Sequence, residues 1–207
     1  MRCLLFSLTC VVLLGCVSDY RHLLAVQSDG SCASKIAPLY METSWYKTSV
    51  DVLGKHMSGL LLIKNMPDSS KRVVFTSEAG LTFFDFEFSK EGNFKVKSVI
   101  SQFDKRSVIQ TLQKDFELVM GLPFQKGDYD RFIAGEEVYF GVKQKNETAY
   151  FITNKDCASL QRLEWGTARK RKVSVQTPGS SYPSPEKIDL IHFTFNMQIK
   201  LTRIQKE

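Results

Sequence analysis

The sequence predicts a mainly β protein with few helices: a strongly curved antiparallel sheet with one helix packed on its concave face. Three observations lead there. Short runs of alternating apolar and polar residues, separated by turn residues, recur from Trp45 to the end of the chain. One segment, between Ser107 and Met120, carries its apolar residues at helical spacing instead. The last alternating run, Phe193 to Thr202, would span roughly 35 to 40 Å as one strand at about 3.3 Å per residue, and a sheet that long must curl or close.

The chain has 207 residues, enough for one domain plus a targeting segment. At 43% hydrophobic residues it can bury a core, so disorder is not the default. Its 15 Phe cluster in short alternating runs, which suits sheets better than helices.

The N-terminus reads as a secretory signal. Met1-Arg2 is followed by an apolar run from Cys3 to Leu14 and then Gly15-Cys16. That run is shorter than the ~20 residues a spanning helix needs. Leu13-Leu14-Gly15-Cys16 resembles the lipobox of bacterial lipoproteins. The resemblance implies cleavage after Gly15 and a diacylglyceryl group on the Cys16 thiol. Several acyl chains on one cysteine anchor durably where a single chain holds only marginally. The competing reading is an ordinary cleaved signal with a chance Cys. Val17, rather than Asp, follows the cysteine, which by the enterobacterial sorting rule favours the outer membrane, with the domain facing the periplasm.

The expected organisation is a signal over residues 1–15, a tether over 16–40 and the folded domain over 41–207. Loss of the signal removes Arg2 alone among charged residues, so the net charge of +6 becomes +5. That balance suits an anionic lipid surface. It is too small to argue for nucleic acid, and no nucleic-acid motif accompanies it.

Cys3 and Cys10 leave with the signal, so Cys32 and Cys157 remain besides Cys16. In an oxidising compartment they suggest one disulfide closing a long loop; two separate buried thiols are the alternative.

From Trp45 the strands follow in order. Runs from Trp45 to Leu53 and Met57 to Asn65 flank Gly54-Lys55, a hairpin. Met66-Pro67-Asp68-Ser69-Ser70 is a turn-rich loop before the run from Arg72 to Thr76. Glu78-Ala79-Gly80 leads into Leu81 to Phe88, where Phe84, Phe86 and Phe88 share a face opposite Asp85 and Glu87. Lys90-Glu91-Gly92-Asn93 turns into a strand with Phe94, Val96 and Ile100 on one face.

Val108, Leu112, Phe116, Val119 and Met120 then mark the helix. Ser107 with Gln110 matches a capping box, Gly121 a C-terminal stop, and Pro123 opposes continuation. Leu122-Pro123-Phe124 is either an exposed lid element or, more in keeping with such segments, a stretch packed back on the core. Strands resume from Glu137 to Lys143, Thr148 to Thr153, Leu160 to Trp165 and Arg171 to Thr177. A loop rich in Pro, Ser and Gly runs from Pro178 to Pro185 before the final alternating run.

The stretch from Trp45 to Gly121 resembles the lipoprotein-carrier family, the periplasmic carrier and its outer-membrane receptor. The residues that carry the resemblance are Ser58-Gly59-Leu60-Leu61-Leu62-Ile63-Lys64, Lys71-Arg72-Val73-Val74-Phe75, and Glu78-Ala79-Gly80-Leu81-Thr82-Phe83-Phe84-Asp85. The meander into the helix and the closing run from Phe193 to Ile204 add to it. The resemblance implies an unclosed half-barrel with a helical lid over an apolar cavity that holds acyl chains. A lipid-anchored member looks more like the receptor. The receptor's protruding loop with its exposed leucine has no clear counterpart here; the comparable Asn65–Ser70 offers Met66.

Phe84, Phe86, Phe88, Phe193, Phe195 and Met197 are the candidate lipid-binding residues, lining an acyl-chain cavity or, equally, an ordinary packed core. Burial of each CH₂ contributes about 0.8 kcal/mol without any directional chemistry, so such a site leaves no polar motif. Arg169-Lys170-Arg171-Lys172 is the densest basic run, either a contact for lipid headgroups or, the favoured reading, a solvated turn with edge-protecting charges. Asn146-Glu147-Thr148 fits a glycosylation sequon, which in a bacterial lipoprotein is chance.

No enzyme motif is present. His22, His56 and His192 are scattered without metal spacing, and there is no nucleophile elbow or phosphate loop. No cofactor is expected. The expected partners are a membrane through Cys16 and acyl chains or lipoproteins. The rival functions are a non-enzymatic envelope interaction or sensor module of the same fold with a filled core, and a hydrolase with a non-local site.

Overall fold

The computed structural model describes residues 18–27, 32, 41–126, 129–178 and 184–205. The expected signal and Cys16, most of the expected tether, and the middle of the Pro/Ser loop lie outside them.

The elements are β1 (Leu24–Val26), β2 (Ser44–Val52), β3 (Lys55–Asn65), β4 (Lys71–Thr76), β5 (Thr82–Phe88), β6 (Phe94–Val99), α1 (Arg106–Val119), a short 3-10 helix (Leu122–Lys126), β7 (Asp130–Ala134), β8 (Glu137–Gln144), β9 (Glu147–Asn154), β10 (Leu160–Gly166), β11 (Arg171–Gln176), β12 (Lys187–His192) and β13 (Met197–Arg203). They form one 13-stranded sheet in the order β1-β7-β8-β9-β10-β11-β12-β13-β2-β3-β4-β5-β6. Two meanders, one before α1 and one after it, are sewn together where β13 pairs with β2, Ile199 opposite Val50. All pairings are antiparallel, and β1 and β6 remain as the two edges, so the sheet is a half-barrel rather than a closed one. Register shifts at Phe75/Thr76, Asp85/Phe86 and Trp165/Gly166 mark bulges, which bend and twist the strands that carry them.

Alternation decides what is buried. Tyr46, Leu61, Ile63, Val73, Phe75, Phe84 and Phe86 are buried on the concave face. On the other face Arg72 grips Asp85, with Nε 2.7 Å from Oδ1, so the polar half of the β4–β5 pattern is satisfied at the surface.

Helix α1 lays Leu112, Phe116 and Val119 on the concave face. It ends at Met120, with Gly121 at φ 64, a left-handed conformation that glycine adopts without strain. Leu122-Pro123-Phe124 packs back on the core, the Phe124 ring 5.4 Å from that of Phe151. The capping box does not form. The N-cap is Lys105, with no side-chain cap, because the preceding turn, closed by Lys105 N donating to Phe103 O at 2.7 Å, starts the helix earlier.

The long last strand also differs from expectation. Phe193–Asn196 form a turn joining β12 to β13, and Leu190 pairs with Ile199 across it. No Gly or Pro stands between Glu186 and Ile204, and apolar alternation runs through the turn, so nothing local marks it. β1 and β7 were likewise not anticipated. β1 falls in the stretch expected as tether, and residues 18–27 lie on the outer face of the sheet. There Tyr20 and Leu23 join a second cluster with Tyr139, Tyr150 and Ile152. Cys32 and Cys157 are paired as a disulfide with Cα atoms 5.6 Å apart, tying the N-terminal segment to the turn after β9.

Candidate functional site

An apolar cavity of about 270 Å³ lies between the N-terminal half of α1 and the concave face. Its floor is alternating residues of neighbouring strands: Val50 and Val52 of β2, Met57 and Leu61 of β3, Met197 and Ile199 of β13, with Phe75 and Phe84 at one side. Val108, Leu112 and Phe116 of α1 form the roof, and Leu53, Phe103 and Phe195 line it from loops. Thr48 is its buried polar residue, and its hydroxyl donates to Tyr46 O at 3.3 Å. Ser107 and Thr111 of α1 stand on the lining.

Of the six expected lipid-binding residues, Phe84, Phe195 and Met197 line the cavity. Phe86 and Phe88 do not. They are fully packed farther along β5, where the Phe94 ring lies 5.2 Å from each, so they are core. Phe193 is turned out, 43% exposed, with the Arg171 guanidinium 4.3 Å above its ring. It leaves the expected wall because the strand ends at His192. The walls missed by the sequence reading come from β2, β3 and α1. The alternation of Thr48, Val50 and Val52 was visible, but not which space those side chains would border.

Beyond Ser107 and Thr111 the cavity gives way to a larger polar groove of about 850 Å³ between α1 and the β8–β9 and β10–β11 turns. Its centre is Glu147. The carboxylate accepts from Trp165 Nε1 at 2.5 Å, from Lys172 Nζ at 2.5 Å and from Lys114. Burial alone would raise the Glu147 pKa, but these three donors outweigh it and bring it down to about 2.

On the other flank of α1, Asp115 Oδ2 lies 3.0 Å from His192 Nε2, with both side chains buried. Burial holds the Asp115 carboxyl above the usual range, and the His192 hydrogen bond opposes that rise. The His192 ring packs 4.6 Å from Phe195, so this pair ties the roof of the cavity to the turn at its mouth. The pair is shut off from solvent, and a substrate could not reach it without opening the helix. Among the described residues no group of three or more His, Cys, Asp or Glu side chains is placed to hold a metal.

No family model matches the sequence, and no curated protein matches it. Two solved structures are similar. A DUF1329 family protein from Desulfovibrio piger has a TM-score of 0.44 at 11% identity, covering 84% of this chain and 89% of that one. An outer membrane lipoprotein-sorting protein domain from Vibrio parahaemolyticus has a TM-score of 0.47 at 5% identity, covering 85% of this chain and 88% of that one. At these values the likeness is one of overall strand arrangement and assigns no activity.

Proposed function

We propose that the chain is a lipoprotein anchored through Cys16 at the periplasmic face of the outer membrane, which takes an acyl chain into the cavity under α1 and acts in lipoprotein or lipid transfer. The cavity carries this reading. It is lined almost wholly by hydrocarbon, and Phe84, Phe195 and Met197 would be among the contacts. Apolar cavities of ~150 Å³ stay dry and accept a guest the size of benzene, so the larger space here suits a longer apolar guest. Each CH₂ that entered would contribute about 0.8 kcal/mol. A filled-core interaction module would leave no such space.

The test is native mass spectrometry with lipid extraction on the Cys16→Ser protein from a bacterial periplasm. Acyl lipid that co-purifies and is displaced by a fluorescent fatty acid supports the reading. Protein that is lipid-free and ignores the probe overturns it in favour of the interaction module.

A further inference from the structure

The position of the N-terminal segment bears on how such a domain would sit on a membrane. Ser18 and Asp19 are fastened to the β10–β11 turn. Asp19 N donates to Arg169 O at 2.9 Å, Arg171 N donates to Asp19 Oδ2 at 2.7 Å, and Ser18 Oγ donates to Ala168 O at 3.4 Å. Tyr20 then lies on Gly166, so closely that a Cβ there would stand 2.8 Å from the ring, and its hydroxyl donates to Glu164 at 3.0 Å. Cys16 precedes Ser18 in sequence by Val17 alone.

The β10–β11 turn shares its rim of the sheet with three others. Gly166 pairs with Thr148, Val173 with His192, and Met197 with Val52, which sets the β8–β9, β12–β13 and β2–β3 turns beside it. Leu53 N donates to Asn196 O at 2.9 Å, and Phe193 N to Lys172 O at 2.9 Å, so the last two turns and β11 are in contact. This rim carries exposed apolar side chains, Leu53 at 72%, Phe193 at 43% and Phe195 at 37%. Around them stand exposed Lys55, Lys145, Arg169 and Lys170.

We propose that this rim is a docking face for an anionic lipid bilayer, with the basic turn and the Leu53 and Phe193 tips seated on it and the cavity mouth turned towards it. The occupant follows from charge and from chain length. A cluster of Lys and Arg around large apolar tips matches anionic headgroups over hydrocarbon. One residue between Cys16 and the fastened Ser18 leaves no length for the domain to stand off, so an anchor at Cys16 delivers this rim to the surface. The inference rests on the anchored reading for the place of Cys16, but its readout does not involve the cavity. The two can therefore fail separately.

The test uses the full lipidated chain reconstituted into vesicles. Phe193→Trp places a reporter on the rim outside the cavity lining, and Ile204→Trp places one at the opposite end, beside native Trp45. In vesicles of phosphatidylcholine with phosphatidylglycerol and a nitroxide-labelled lipid, Phe193→Trp should gain quenching over the parent chain and Ile204→Trp should not. Arg169→Gln with Lys170→Gln should reduce the docked fraction roughly tenfold while the anchor stays inserted. Equal quenching at both ends, no gain at position 193, or a gain that is unchanged by charge removal and by omission of the anionic lipid would each overturn the proposal.

Discussion

Asp115 of α1 and His192 at the end of β12 meet across 77 residues of sequence, Oδ2 to Nε2 at 3.0 Å, in a site sealed from water. A buried carboxylate is costly unless its partner stays in place. The pair therefore acts as a latch between the helix that roofs the cavity and the strand whose turn closes its mouth.

Replacing His192 by Leu should destabilise the protein by roughly 3–5 kcal/mol at neutral pH, because it strands a buried carboxyl. The Asp115 pKa is already raised, and loss of the partner raises it further. A group raised above its unfolded value contributes stability that is complete below that value and lost as pH rises through the folded one. The variant should therefore lose stability more steeply than the parent as pH rises from about 4 to 7. Urea unfolding across that range reads it; parallel curves would refute the latch.

Val50→Phe adds bulk at the cavity floor. In a fully packed interior such a change costs about 1–3 kcal/mol. Here the side chain has space to enter, so the midpoint of unfolding should stay within about 1 kcal/mol of the parent while uptake of a fluorescent fatty acid falls sharply. A large loss of stability would mean that the space is not available.

Glu147 predicts the acid limb of stability. Its pKa lies at about 2 against an ordinary 4.5, because Lys114, Lys172 and Trp165 donate to it. A depressed carboxylate contributes stability that is complete above its unfolded value and lost as pH falls towards the folded one. Glu147→Gln should weaken the protein at pH 7 and flatten the loss between about pH 4.5 and 2. Calorimetric Tm against pH, compared between the two proteins, decides it.

The Cys32–Cys157 disulfide closes a loop with a sequence separation of 125. Its reduction should cost about 2–4 kcal/mol and release the N-terminal segment from the turn after β9. Thiol labelling with and without reductant, followed by urea unfolding, tests this. Rapid labelling of both thiols without reductant would point to two unbridged cysteines.

Gly59→Ala should be the most damaging glycine change of its size in the first meander. A Cβ there would meet Thr76 O at 2.0 Å, against a nearest contact of 3.1 Å at Gly141, where the neighbours are side-chain atoms able to shift. The expected cost is about 1–3 kcal/mol for Gly59 and less for Gly141→Ala, measured by unfolding.

Local pattern was enough for much of this molecule. Alternation over Trp45 to Phe88 placed Tyr46, Leu61, Phe84 and Phe86 inside, since a strand exposes its two faces by turns. The spacing of Leu112, Phe116 and Val119 placed the helix and the face it buries. The turn at Phe193–Asn196 was not legible, because apolar alternation continues through it with no glycine or proline. Nor were β1 and β7, short edge elements whose pairing comes from Leu24 meeting Ile133 across the fold. The cavity belongs to the tertiary structure alone. Sequence determines which face of each strand is apolar, but whether the space between those faces is filled depends on the joint volume of side chains from β2, β3, β13 and α1. That sum is set only when distant segments are brought together. For the same reason Phe86 became core and Phe195 became wall, and an Asp on a helix found its partner in a His 77 residues away.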